Sequence, residues 1–224
     1  PGLRSFEEHE HMLFFGREEQ VDDLITKLRK NRFLAVIGTS GSGKSSLVKS
    51  GLLPSLYGGF MAQSGSNWQT VTFRPGVDPI GNMSKALCES NYNYLDELGV
   101  DNVDYSDVIE SGLRRSDRGL VDFYHQNMSH RKGDNLLILV DQFEELFRFS
   151  DIEKSKQDGF SDAVAFIELL LTASRQSDVP VYIVFTMRSD FLGECTRFKG
   201  LPEAINDGHY LVPRMSREQI REVI

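Results

Sequence analysis

Cysteine is almost missing, since Cys88 and Cys195 are the only two in the chain and stand far apart. They form no C-x-x-C pair and no Cys/His cluster, which argues against structural zinc and a disulfide framework and for a reducing cytosol, with both read as buried or incidental thiols. Positive charge is also scarce: 25 Lys plus Arg face 33 Asp plus Glu, for a net charge of −8. The overall balance therefore gives no sign of a broad nucleic-acid or anionic-membrane surface. No apolar run reaches the length of a membrane span, and Glu7, Glu8 and Glu10 make the N-terminus unlike a signal peptide. Together these absences read as a soluble, cytoplasmic protein. His9, His11, His125, His130 and His209 show no metal-ligand spacing, and neither repeats nor low-complexity segments occur. Cysteine-nucleophile, zinc-hydrolase and Ser-His-Asp readings find only scattered residues.

What is present begins with Gly38-Thr39-Ser40-Gly41-Ser42-Gly43-Lys44-Ser45, which fits G-x-x-x-x-G-K-[ST], the phosphate-binding loop or Walker A motif. It follows the apolar run Phe33 to Ile37 and precedes a helical pattern, as the chemistry requires. Glycines at 38, 41 and 43 allow turns that a Cβ would forbid, so backbone N–H groups can converge on phosphate oxygens at a helix N-terminus, with Ser46 in its first turn. Lys44 supplies a mobile positive charge, and the Ser45 hydroxyl is a candidate magnesium ligand. No Asn-Lys-x-Asp string, the guanine-reading motif, occurs, so ATP is the better candidate than GTP.

At 224 residues the chain has room for one substantial α/β core. Val21, Leu24, Ile25 and Leu28 predict a helix over Glu18 to Lys30. Strands are expected at Phe33 to Ile37, Gln69 to Phe73, Leu136 to Val140, Val181 to Thr186 and Tyr210 to Val212. Helices are expected from Ser45 to about Leu53, ended by Pro54; from Pro79 to Ser90; as one piece from Tyr105 to Met128; and around Ala163, Phe166, Ile167, Leu170 and Leu171. Tyr57 to Asn67 reads as a surface loop, Asn91 to Asp101 is ambiguous, and Arg114, Arg115 and Arg118 read as a solvated face. Strands alternating with helices imply a three-layer α/β fold, a mostly parallel five-stranded sheet covered on both sides, with ligands at the carboxyl ends of the strands.

Asp141, directly after the run Leu136 to Val140, is the candidate Walker B metal ligand. Glu144 and Glu145 follow, and either could orient an attacking water; both also fit acidic residues in the first turn of a helix. Arg188, after the fourth strand, is placed to reach a terminal phosphate, although an ion pair with Asp190 is the competing reading.

With these residues assembled, the chain resembles the STAND class of P-loop ATPases, and among them the bacterial novel STAND NTPases, along almost its whole length. The strings Phe14-Phe15-Gly16-Arg17-Glu18, GTSGSGKSSLVKSGLLPSL, LILVDQFEELF and FTMRSDFLGEC carry the likeness. The resemblance implies a signalling switch in which ATP binding or exchange, prompted by a sensor region, drives assembly and activates a fused effector, with roles in signal transduction and antiviral defence. It also implies that Lys44 and Ser45 hold phosphate and Mg2+, that Asp141 holds the metal and that Glu144 and Glu145 serve the water. Arg188 becomes the sensor, and Phe15, Gly16 and Arg17 lie near the adenine. Gln142 stands where many related ATPases place a catalytic Glu, which implies slow hydrolysis.

The expected organisation is a lead-in segment over 1–32, a nucleotide-binding core over 33–215, and at 216–224 the start of a helical region, opened by a capping box at Ser216-Arg217-Glu218-Gln219. The expected partners are ATP or ADP, sensor and effector regions fused outside this piece, and further copies of the full-length protein on activation. The alternatives are a dedicated ATP-turnover enzyme, either a motor or a small-molecule kinase, and an interaction module with a decayed site.

Overall fold

The computed structural model describes residues 16–61, 67–90, 102–128, 134–152 and 158–213. The five apolar runs expected to be strands are strands: β1 (Phe33–Gly38), β2 (Trp68–Phe73), β3 (Asn135–Val140), β4 (Val181–Arg188) and β5 (His209–Leu211). They form one sheet in the order β2-β3-β4-β1-β5. Every pairing is parallel, with Phe33 opposite Ile183 and Phe73 opposite Val140. The central strands β1, β3 and β4 are buried almost throughout, because helices cover both faces.

Side chains alternate along each strand, so the core divides in two. Ala35, Ile37, Ile138, Val140, Ile183 and Phe185 face a large cluster with α4 (Pro79–Ser90), α5 (Asn102–Leu113), α6 (Gly119–Asn127) and α8 (Asp158–Arg175). Leu34, Val36, Leu137, Leu139 and Val184 face a smaller cluster. There they meet α1 (Glu18–Asn31) and a helical rod made of α2 (Lys44–Ser46), a π-helical segment (Leu47–Leu52) and α3 (Leu53–Tyr57). Helix α7 (Glu145–Ile152) follows β3, and α9 (Leu201–Asp207) precedes β5.

Two expectations change. Pro54 does not end the rod, which runs on to Tyr57. The π register before it, with Leu53 N donating to Val48 O, widens the turn that must take the proline ring. The single helix expected from Tyr105 to Met128 is two, broken at residues 114–118. Gly119 opens α6 pressed against the end of α5, where a Cβ would stand 2.7 Å from the Leu113 Cα and carbonyl oxygen. All three arginines in that break are exposed, in line with a solvated face. Arg114 also joins Glu110 at 2.7 Å, Asp78 at 3.0 Å and Asp162 at 3.1 Å, tying α5 to α8 and to the start of α4. Finally, α9 and the 3-10 turns Ser189–Phe191 and Glu194–Arg197 were not marked by the hydrophobic pattern. The capping box at Ser216 and the segment Asn91 to Asp101 lie outside the described residues.

Both cysteines are buried, and neither is in a disulfide. Burial pushes the Cys195 thiol up to about 12. No helix among the described residues is long and apolar enough to cross a membrane.

Candidate functional site

The carboxyl ends of β1, β3 and β4 open on the same edge of the sheet, and the chain leaves β1 there through residues 39–43. Gly41 and Gly43 have φ of 71° and 83°, where a side chain is strained. At Gly38 a Cβ would come within 2.7 Å of Ser42 Oγ, so the Ser42 hydroxyl would have to turn aside to admit one. Ser42 N donates to Thr39 O at 3.2 Å, and Leu47 N donates to Gly43 O at 2.8 Å to begin the helical ladder. Lys44 Nζ folds back across the loop and donates to Thr39 O at 2.8 Å. Partial burial lowers the affinity of this ammonium for its proton; Glu144 and Asp141 oppose the shift and Arg188 adds to it.

Asp141, the residue after β3, is buried beneath this loop. Its Oδ1 accepts from Ser45 Oγ at 2.7 Å and from Thr186 Oγ1 at 2.6 Å, and Lys49 Nζ lies 3.7 Å from Oδ2. Thr186 also takes Gln142 N on its hydroxyl at 3.0 Å and Phe143 N on its carbonyl at 2.9 Å. These bonds hold the turn after β3, in which Gln142 adopts a positive φ of 59°. With its amide oxygen toward Arg74, Gln142 accepts from Arg74 at 3.2 Å and donates to Glu145 Oε1 at 3.1 Å.

The two glutamates part company. Glu144 is buried, accepts from Arg188 N at 3.3 Å and lines the cleft under the loop. Glu145 opens α7, sits beside Gln142 and does not line the cleft. Arg188 does line it, with its guanidinium laid on both carboxylate oxygens of Asp190, 3.0 and 2.5 Å away. That contact raises the Arg188 pKa and lowers that of Asp190. The cleft holds about 640 Å³. Ser40, Gly41, Gly43 and Lys44 to Ser46 form its loop wall, while Thr39 and Ser42 turn elsewhere.

Of the segment before α1, Phe15 lies outside the described residues. Gly16 N donates to Glu18 Oε1 at 3.1 Å. Arg17 is buried behind the loop, where NH2 donates to Ser42 O at 3.2 Å and NH1 has no partner among the described residues. Burial lowers the Arg17 pKa. Arg17 also borders a second cleft of about 410 Å³, walled by Val21, Ser50, Gly51, Pro54 and Phe60.

Sequence reasoning missed Thr186, Lys49, Arg74 and Arg148. Thr186 had a signal, a lone hydroxyl at the end of an apolar run. Arg74 had one too, because it follows β2 as Asp141 follows β3, and the register pairs Phe73 with Val140. Arg148 lines the cleft from α7, over the Phe191 ring, and only the folded placement of α7 reveals it.

The donor set suits magnesium, which prefers oxygen ligands: a hydroxyl and a carboxylate meet below a phosphate-type loop. Among the described residues no group of three His, Cys, Asp or Glu side chains could hold a metal unaided. An ion here would depend on phosphates and water for its other ligands.

The profile of novel STAND NTPase 1 matches residues 1–224. No curated protein sequence matches the chain. Several solved structures share the fold, two of them along nearly all of this chain. A Walker-type ATPase of Pyrococcus abyssi is 17% identical, with a TM-score of 0.57, over 99% of this chain and 59% of that one. A chain of the HORMA:CdnC:Trip13 complex of E. coli MS115-1 is 13% identical, with a TM-score of 0.54, over 98% of this chain and 70% of that one. This chain thus spans about three fifths of the first of those chains and seven tenths of the second.

Proposed function

The chain belongs to the novel STAND NTPase 1 family, and from that premise we propose that the cleft binds ATP or ADP with Mg2+ and works as a slowly hydrolysing molecular switch. The observation that carries this reading is the Ser45 to Asp141 contact of 2.7 Å directly beneath the glycine loop. The loop amides from Ser40 to Ser46 receive the phosphates at the N-terminus of α2. Lys44 exchanges Thr39 O for an outer phosphate oxygen. Ser45 and Asp141 hold magnesium, which neutralises charge between the outer phosphates. Arg188 trades Asp190 for the γ-phosphate, and Glu144, facing the cleft, orients the attacking water. Glu145 acts through Gln142 rather than on the water. The base lies toward the second cleft, beside Arg17.

Slow turnover follows from an open cleft, because electrostatic stabilisation of a transferring phosphoryl group is strong only where water is excluded. The core over 33–215 would act inside a longer cytoplasmic protein, with a helical region from 216 onward closing over the nucleotide. Sensor and effector regions would convert ATP binding into homo-oligomer assembly for signalling or antiviral defence. The likeness to the STAND class supports this wider role.

Calorimetry tests the core of the reading: Lys44→Ala should abolish nucleotide binding with the melting curve unchanged, and Arg188→Ala should weaken ATP more than ADP. Glu144→Gln should keep ATP binding and slow hydrolysis. Parental affinity in Lys44→Ala removes the phosphate-loop assignment. Many turnovers per second by the chain alone favours the turnover-enzyme reading instead.

A further inference from the structure

Asp141 has a cationic neighbour that the phosphate chemistry does not call for. Lys49 Nζ stands 3.7 Å from Asp141 Oδ2, with side-chain exposures of 16% and 5%. The hydroxyls of Ser45 and Thr186 occupy Oδ1, the other carboxylate oxygen. Lys49 lies in the π segment Leu47–Leu52, four residues beyond Ser45, so both side chains project from one face of the rod. Lys49 does not line the cleft, and reaches Asp141 from the helical layer behind it.

A buried carboxylate is costly unless both its oxygens are answered by donors or charge. Two neutral hydroxyls answer one oxygen, and the ammonium faces the other. A divalent ion arriving at the same carboxylate meets that ammonium as a like charge a few ångströms away, which disfavours the ion.

We propose that Lys49 is a built-in counter-cation for Asp141 that sets how much magnesium the site needs before it loads. In the metal-free protein it partners the carboxylate; once the ion binds, it opposes it. The result is a threshold: the nucleotide site stays structurally intact at low magnesium and fills with the metal-nucleotide complex only above a set level. This rests on the reading that Ser45 and Asp141 hold magnesium.

The test uses Lys49→Met and Lys49→Gln, with two readouts. The first is the Mg2+ concentration at which a fluorescent ADP analogue reaches half its maximal affinity gain. The second is the melting temperature, in chelator without nucleotide and in Mg2+ with the ADP analogue present. Both variants should move the Mg2+ midpoint about tenfold lower, since deleting a nearby like charge favours the ion. Both should melt lower than the parent in chelator and recover in Mg2+, and Lys49→Arg should keep the parental midpoint. A midpoint unchanged or raised in Lys49→Gln, or a melting deficit that Mg2+ does not repair, overturns the proposal. Lys49→Met is expected to shift nothing further in an Asp141→Asn background, and an undiminished shift there overturns it as well. Asp141→Asn separates the two levels: if it loses magnesium dependence while Lys49→Gln behaves as the parent, only the Lys49 role falls. If Asp141→Asn keeps parental magnesium dependence, the metal site itself falls.

Discussion

The Thr186 hydroxyl joins three parts of the site, donating to Asp141 Oδ1 at 2.6 Å and accepting from Gln142 N at 3.0 Å at the end of a strand. Thr186→Val keeps the shape and removes both bonds, leaving the Gln142 N–H without its partner. Urea unfolding should show a loss of about 1–3 kcal/mol, the usual cost of an unsatisfied buried donor, and Thr186→Ser should recover most of it. Lys44 gives a proton-linked prediction. Burial lowers its pKa below the ordinary 10.5 in the nucleotide-free fold, whereas anionic phosphates raise it. Nucleotide binding at alkaline pH should therefore take up protons, and more of them as pH rises toward the lowered value and through it. Calorimetry in buffers of different ionisation enthalpy reads this directly; no uptake above pH 9 would place Lys44 away from phosphate. The unfolded chain holds this proton more tightly, so the buried charge of Lys44 is a cost to the folded state that is relieved as pH climbs through that window.

At the scale of elements, the strands were legible because a run such as Leu136 to Val140 has no polar face, and a parallel sheet covered on both sides demands that. The break between α5 and α6 was not, since Val108, Ile109, Leu113, Leu120 and Val121 keep a plausible helical spacing across it. What decides it is the backbone of Leu113 meeting Gly119, a contact made only after folding. Gly119→Ala should cost about 1–3 kcal/mol by overpacking, read as a lower urea midpoint with an unchanged slope. In the site, the glycine loop and Asp141 were legible from motif and position. The division of labour between Glu144 and Glu145 was not, because the positive φ of Gln142 turns the chain between the end of β3 and the start of α7.

Across the whole molecule, the sheet separates two cores of unequal size. The larger packs α4, α5, α6 and α8 on one face, and the smaller packs α1 and the rod that begins at Lys44 on the other. The thinner layer carries the ligand loop and, in its π segment, a less favourable hydrogen-bond ladder. Local opening in such a molecule is graded by how much apolar surface each layer buries. Hydrogen-deuterium exchange should therefore find the amides of α1 and of residues 44–57 exchanging before those of α8 in the absence of nucleotide. A nucleotide should slow the first group by orders of magnitude and the second hardly at all; equal slowing would mean that the two layers open together. Binding energy captured at the loop would then be stored as stiffness in one wall of the protein. The opposite wall stays as it was, so a partner touching α1 or the rod could sense whether the site is filled without any strand having to move.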